Sequence, residues 1–412
     1  MPEEIMLERK TYLNQLLSWK DKQIIKVITG IRRCGKSTLL QQFQALLFQK
    51  GIQKEQVISI NFEDMEHEEL LDYKKLYQYI KQRLLPDKNM YIFLDEVQNV
   101  DQYEKVVDSL FVQNGVDIYI TGSNSYMFSG QLATNLRGRY IEISMLPLSF
   151  KEFTLLYPNK DMRDVFYWYL KVGGFPYLQG IQDSDSQIRM YLEGIYNTVL
   201  LKDIEERLNR KQKQLSNTSG TDVALLKSIS KYLASVIGSP VSIRSITNYL
   251  KSNERKVSPN TVSDYITALS ESYLYYPVDA INANGKEILK SNRKYYIVDL
   301  GIRNFVLPKT HYDIGFSIEN LVYFELLRRG YEVNIGKING TEIDFVAKKD
   351  GAYTYIQVSA SLLDESTFKR EITPLQNIHD NYEKFILTLD DYSEGNYNGI
   401  LIKNVINWLL EE

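Results

Sequence analysis

Residues Gly30-Ile31-Arg32-Arg33-Cys34-Gly35-Lys36-Ser37 spell a complete GxxxxGK[ST] string, and its flanks narrow what this chain can fold into. The apolar run 24–28 before it reads as a strand, and 38–48 after it has a helical pattern. Strand, glycine-bearing loop and helix in that order point successive backbone N–H groups and a helix N-terminus at one spot, where a chain of phosphates is held. The glycines let the loop backbone turn and come close to its ligand. Lys36 supplies the cation for the terminal phosphates and the Ser37 hydroxyl is the expected Mg2+ ligand. Gly30, Ile31, Arg32, Arg33, Cys34, Gly35 and Thr38 complete the cradle.

The alternation continues downstream. Runs 57–62, 91–94, 116–120 and 140–143 read as strands with helical patterns between them, so an α/β fold with right-handed crossovers and a mostly parallel sheet is expected. Ligands of such sheets bind at the carboxyl ends of the strands. The run 91–94 ends in Asp95-Glu96, which puts Asp95 where it holds a magnesium water shell and Glu96 where it polarises an attacking water. The run 116–120 ends in Thr121-Gly122-Ser123-Asn124, where Asn124 or Ser123 is placed to meet a γ-phosphate. Arg137 and Arg139, just before the last of these strands, offer a guanidinium for transition-state charge, with Arg139 the first choice. ATP and Mg2+ are the cofactors these residues call for.

Composition limits the partners. The 412 residues imply two to four domains at about 100 to 200 residues each. Hydrophobic residues at 44% and charged residues at 25% are ordinary for a folded globular chain. A net charge of −3 gives no global field for nucleic acid, so any such role has to sit in a local patch. Cys34 is the one cysteine, which excludes an intrachain disulfide and suits a reducing compartment; the cytoplasm is the expected location. No apolar run approaches the roughly 18 residues of a membrane span, and the opening MPEEIMLERK carries acids where a signal peptide is basic. Neither membrane insertion nor secretion is expected. His67, His311, His379 and Cys34 share no metal-ligand spacing.

Beyond residue 147 helical patterns dominate at 164–171 and 187–209, broken by Gly173-Gly174-Phe175-Pro176, and predict a helical lid over 148–215. The polar stretch 210–221 reads as a linker. Helical patterns at 222–237, 243–252 and 259–272, then strands at 273–279 and 295–298 around a polar tip 282–286, outline a winged helix over 216–300. Ser258 caps its third helix and Pro259 opens it. For DNA, Asn260, Thr261, Ser263 and Asp264 would face base edges, and Arg255, Lys256, Lys286, Lys290, Arg293 and Lys294 would meet phosphates. The alternative is a winged helix that only packs against the motor or a partner. A helix at 318–329 and strands at 331–335, 342–347, 353–358, 384–389 and 399–403 predict an independent α/β domain over 301–412, after a phosphate-binding core of 1–147.

Taken together, Ile28 to Ser37, Leu94-Asp95-Glu96-Val97-Gln98, Thr121-Gly122-Ser123 and Arg139 before Leu146-Pro147-Leu148-Ser149-Phe150 closely resemble a prokaryotic AAA+-type ATPase family. Its members carry a GxRRxGK[ST] Walker A loop, a DE[IV]Q Walker B strand and a C-terminal domain of unknown function. The resemblance extends to Gly173-Gly174-Phe175-Pro176, to YIVDLG at 296–301 and to EIDF at 342–345, and so covers nearly the whole chain. It implies an AAA+-like P-loop core, a helical extension, a winged-helix segment and a terminal domain similar to the restriction-endonuclease fold. It also implies a sensor role for Asn124 or Ser123, and an arginine finger at Arg139 or Arg137 that acts on a neighbouring subunit, hence a homo-oligomer. Glu319, Asp344 and Gln357-Val358-Ser359 resemble the D…(D/E)xK nuclease layout, with Gln357 for the second carboxylate and Ser359 where the lysine belongs. Glu319, Glu342 and Asp344 are left without the activating cation unless Lys348 or Lys369 supplies it, so a degenerate binding or regulatory domain is expected. The function these residues imply is Mg2+-dependent ATP hydrolysis coupled to rearrangement of the later domains, with DNA as one partner. The alternative is a slow nucleotide switch acting on protein partners, and an ATP-powered nuclease comes third.

Overall fold

Isoleucine, valine and aromatic residues dominate the five runs expected to be strands near the N-terminus, and each forms one. In the computed structural model, which describes residues 7–122, 138–181, 184–205, 208, 221–289, 292–307, 313–391 and 395–411, these are β1 (Ile25–Thr29), β2 (Val57–Asn61), β3 (Met90–Asp95), β4 (Val116–Thr121) and β5 (Tyr140–Ser144). They pair in the order β2-β3-β4-β1-β5, every pair parallel. All of β1 and β3 is buried, as parallel strands covered on both faces must be. One face packs Val27, Ile60, Ile92 and Ile120 against Leu76 and Ile80 of helix Tyr73–Lys81 and Val106, Val107 and Leu110 of helix Tyr103–Phe111. On the other, Phe93 stacks on Tyr119 with ring centroids 4.8 Å apart, and Phe43 of helix Lys36–Gln49 closes on both rings. The register pairs Asn61 with Asp95, Leu94 with Ile120, Ile28 with Thr121 and Thr29 with Ser144. The polar residues that end the strands therefore form one row.

This parallel sheet belongs to the first of two compact units, Met1–Pro147 with Glu271–Tyr273. The second comprises Leu148–Ser270 and Leu274–Glu412. It opens with the short helix Phe150–Thr154 and continues with helices Met162–Val172 and Asp185–Thr198, and the last passes into a π-helical stretch, Val199–Glu205, where the periodicity predicts one continuous α-helix. Helices Val223–Ser235, Ile243–Ser252 and Pro259–Glu271 follow, the third capped as expected by Ser258 Oγ, which accepts from Thr261 N at 3.1 Å. Val262, Ile266 and Leu269 form its buried stripe.

The glycine breaker at 173–174 and the YIVDLG run form a single joint. Asp299 accepts from Gly174 N at 2.6 Å with one oxygen and from Ile302 N at 3.1 Å with the other, capping helix Leu300–Val306. Gly173 sits at φ +82, where a Cβ would lie 2.1 Å from the Asp299 carboxylate; a Cβ on Gly301 would lie 2.0 Å from the Val172 carbonyl. Burial pushes the Asp299 carboxyl up to about 6 despite these N–H donors and Arg328.

The hairpin departs from expectation. Strands β6 (Tyr275–Val278) and β8 (Lys294–Ile297) pair antiparallel, but between them β7 (Ala280–Asn282) leaves the pair and joins a seven-stranded sheet, parallel to β9 (Glu332–Ile338). That sheet continues through β10 (Thr341–Lys349), β11 (Ala352–Ser359), β12 (Glu383–Thr388), β14 (Ile400–Asn404) and β13 (Gly395–Tyr397). Residues 301–412 are thus not an independent domain, because 280–282 supply an edge strand of their sheet. The cause is local and apolar. Ile281 and Ala283 are buried with Ile338, Ile343 and Val346, and bare backbone at Gly336, whose Cβ would lie 2.7 Å from Val346 Cγ2, leaves room for the approach. Among the described residues no helix is long and apolar enough to cross a membrane.

Candidate active site

The GxxxxGK[ST] loop leaves β1 at Thr29 and ends at the first turn of helix Lys36–Gln49. Its glycines are required: Gly30 has φ +139 and a Cβ there would stand 2.1 Å from the Met145 carbonyl, while Gly35 caps the helix at φ +104. Ile31 and Cys34 are fully buried beneath the loop. Burial pushes the Cys34 thiol up, which keeps it protonated and unreactive. Arg33 points to solvent, and Arg32 bonds Glu63 at 3.0 Å.

Four sequence-predicted residues converge here. Lys36, 4% exposed, donates to the Gly30 and Ile31 carbonyls at 3.1 and 3.4 Å and lies 3.7 Å from Glu96 Oε1. Asp95 accepts from the Thr121 hydroxyl and from Ser37, while burial raises its carboxyl above the ordinary range, partly offset by those two donors. Glu96 stands in the left-handed region at φ +54, its N–H donating to Thr121 Oγ1 at 2.8 Å and its Oε2 accepting from Gln98 Nε2. Ser37 and Asp95 thus present adjacent oxygens, a donor set that fits Mg2+, which uses one or two protein oxygens and takes the rest from phosphate and water.

Arg9 was invisible as a site residue in the sequence. It is 3% exposed and its guanidinium donates to the carbonyls of Cys34 at 3.1 Å and Leu146 at 2.8 Å, bracing the loop from behind. Nothing near Arg9 in sequence signals this, since Leu146 is 137 positions away.

Arg139 is not brought to the loop of its own chain. Its carbonyl accepts from Ile25 N at 2.9 Å and its guanidinium lies 5.3 Å from the Phe111 ring centre, at the end of the sheet where β1 begins. The loop leaves the other end of β1, about 13 Å away at about 3.3 Å per residue. Ser123, Asn124, Arg137, Lys290 and His311 lie outside the described residues. Among the described residues no group of three or more His, Cys, Asp and Glu is placed to hold a metal.

Two of the expected phosphate contacts are consumed inside the fold. Lys286 donates to the Ala283 carbonyl and the Tyr355 hydroxyl and lies 3.4 Å from Asp380. Lys294, 3% exposed, sits among Glu319 at 3.0 Å, Glu342 at 2.7 Å and Asp344 at 3.8 Å. Arg293 pairs with Asp279 at 2.6 Å and Arg255 lies 3.9 Å from Asp222, whereas Lys256 is exposed. Asn260 and Asp264 are exposed, and Thr261 and Ser263 half-buried.

Lys294 is also the cation the terminal carboxylates lacked. Lys348 is exposed and Lys369 pairs with Glu365 at 2.5 Å, so neither candidate takes that place. Burial alone would lower the Lys294 ammonium, but Glu319, Asp344 and Glu342 outweigh it and hold it above its ordinary range. Burial raises both Glu319 and Asp344, partly offset by Lys294. Gln357 accepts from Asp344 N and donates to Glu371, each at 2.7 Å, and Ser359 donates to the Ser361 carbonyl.

Residues 22–154 match the family model of an AAA domain, and 163–313 match a domain of unknown function. An uncharacterized protein of Haemophilus influenzae is 37% identical over 413 residues, covering 98% of this chain and 99% of its own length. One of Methanocaldococcus jannaschii is 31% identical over 393 residues, covering 89% and 82%. A Walker-type ATPase of Pyrococcus abyssi superposes with a TM-score of 0.48 at 15% identity, over 73% of this chain and 95% of its own.

Proposed function

We propose that this chain, which belongs to one family with the Haemophilus influenzae and Methanocaldococcus jannaschii proteins and carries an AAA-type P-loop ATPase domain, binds and hydrolyses ATP with Mg2+. The observation that carries the reading is the convergence of Lys36, Ser37, Asp95 and Glu96 at the ends of β1 and β3, three of them buried. Backbone N–H groups of Gly30, Ile31, Arg32, Arg33, Cys34, Gly35 and Thr38 cradle the phosphates, and Lys36 exchanges its loop carbonyls for the terminal ones. Ser37 and Asp95 hold Mg2+, which when bound neutralises charge on the phosphate oxygens. Glu96 orients and deprotonates the attacking water. Asn124, or Ser123, contacts the γ-phosphate. Arg139 or Arg137 reaches the site of a second copy, so turnover needs at least a dimer; the placement of Arg139 away from its own loop supports this.

We assign 1–147 to the ATPase core, 148–215 to a helical lid, 216–300 to a winged-helix-like segment and 301–412 to a restriction-endonuclease-like segment, with DNA as one partner. Loss of the γ-phosphate releases contacts that favour one arrangement of these segments, which is how turnover does work. A second reading, a slow nucleotide switch for protein partners, draws support from the net charge of −3 and from the engagement of the half-buried Lys286 and the buried Lys294 in internal pairs. Lys294 ion-pairs with Glu319, Glu342 and Asp344, the carboxylates that a nuclease would use to collect Mg2+, and this occupation favours a binding or regulatory terminal segment over a nuclease.

ATP hydrolysis by the purified chain, with and without double-stranded DNA at two salt concentrations, tests both readings. Lys36→Ala should abolish nucleotide binding. Glu96→Gln should retain it and lower turnover by roughly 10² to 10⁴ fold. Stimulation by DNA that salt weakens supports the DNA-coupled motor, slow turnover indifferent to DNA supports the switch, and wild-type turnover no faster than that of Lys36→Ala refutes the ATPase.

A further inference from the structure

Gln98 belongs to the short 3-10 turn Val97–Asn99 that follows β3, and nothing in phosphate binding requires it. Its side chain nevertheless lies on Glu96, donating from Nε2 to Oε2. The backbone of Glu96 is fixed by its own N–H bond to Thr121 Oγ1 at 2.8 Å and by its left-handed conformation. Its carboxylate is another matter, because three rotatable bonds separate it from that anchor. Lys36 holds Oε1 only across 3.7 Å, and a bound triphosphate draws the Lys36 cation to itself. Gln98 grips the opposite oxygen, Oε2, which the phosphate does not draw on.

We infer that Gln98 is a positioning residue for hydrolysis, its carboxamide holding the Glu96 carboxylate in the orientation that meets the attacking water. The inference rests on the ATPase reading. In the step it serves, the water oxygen bonds to the γ-phosphorus as the bond to the β,γ-bridging oxygen breaks, and the water proton passes to Glu96, giving ADP and inorganic phosphate. The left-handed turn at 96 brings residue 98 back over residue 96, so a side chain two positions on reaches the carboxylate.

The test uses the full chain, MgATP turnover and binding of a fluorescent ATP analogue. Gln98→Met keeps the length of the side chain and removes the donor. It should lower kcat by roughly tenfold to a hundredfold, with KM and analogue affinity within about twofold of wild type. Gln98→Glu, which sets a second carboxylate against Glu96, should lower kcat further. In a Glu96→Gln background, Gln98→Met should cost nothing more in single-turnover rate, because the residue acts through Glu96. Undiminished kcat in Gln98→Met, a loss confined to KM, or an equal loss in the Glu96→Gln background would overturn the assignment. A wild type no faster than Lys36→Ala would instead overturn the ATPase reading beneath it.

Discussion

Lys36 and Lys294 solve the same problem, a buried ammonium, in opposite ways. Lys36 is held loosely, by two carbonyls and a carboxylate at 3.7 Å, and can be recruited by a stronger anion. Lys294 is held by three carboxylates, one also bonded by the Tyr296 hydroxyl at 2.6 Å. Removing it strips the buried Glu319 and the half-buried Asp344 of their shared cation, leaving them the Tyr296 hydroxyl and Val358 N as donors, and breaking a buried pair from one side costs about 3 to 5 kcal/mol. Lys294→Met should therefore lower stability by about that amount in urea unfolding, and Lys294→Met with Glu319→Gln should recover part of the loss. Lys36, Ser37, Asp95 and Glu96 were legible because each lies in a short string whose neighbours fix its direction. Arg9 and Lys294 were not, since what defines them is a carbonyl or carboxylate that only the fold brings near.

Elements fared by the length of their pattern. All five strands of the parallel sheet and the helix after the loop could be read from apolar runs, continuous in β1, β3 and β4, which are buried on both faces, and shorter in the half-exposed edge strands β2 and β5. β7 could not, since Ala280–Asn282 is too short to carry an alternation and its pairing depends on Gly336 in a strand far along the chain. The joint at Asp299 offers an element-scale test. Its carboxyl is raised to about 6 in the fold against 3.8 for the unconstrained group, so the folded chain binds this proton more tightly. The resulting stability is present below about pH 4 and is lost as pH rises through about 6. Asp299→Asn should remove this component: melting temperatures of wild type relative to the variant should fall between pH 4 and pH 6.5. A constant difference across that range would mean that Asp299 titrates alike in both states.

At the scale of the molecule, charge is spent internally. With Lys286 and Lys294 engaged and Arg293 paired, Lys256, which is exposed, and Arg255, whose contact with Asp222 is loose at 3.9 Å, are the cations of the winged-helix candidate set most open to phosphate among the described residues. DNA binding through that candidate set should then show a shallow salt dependence, with a slope of log affinity on log salt no steeper than about −2. A much steeper slope would assign the contact to another surface. The cluster around Lys294 has a different consequence. A metal ion in that position would come from the medium and leave with a chelator, but this cation is a side chain, encoded with the carboxylates it serves and delivered whenever they are synthesised. In nucleotide-free protein, EDTA or added Mg2+ should leave thermal unfolding of the second unit unchanged, which differential scanning calorimetry would register. Supply of the cation is then settled by inheritance rather than by the ionic composition of the cell, and only mutation can withdraw it.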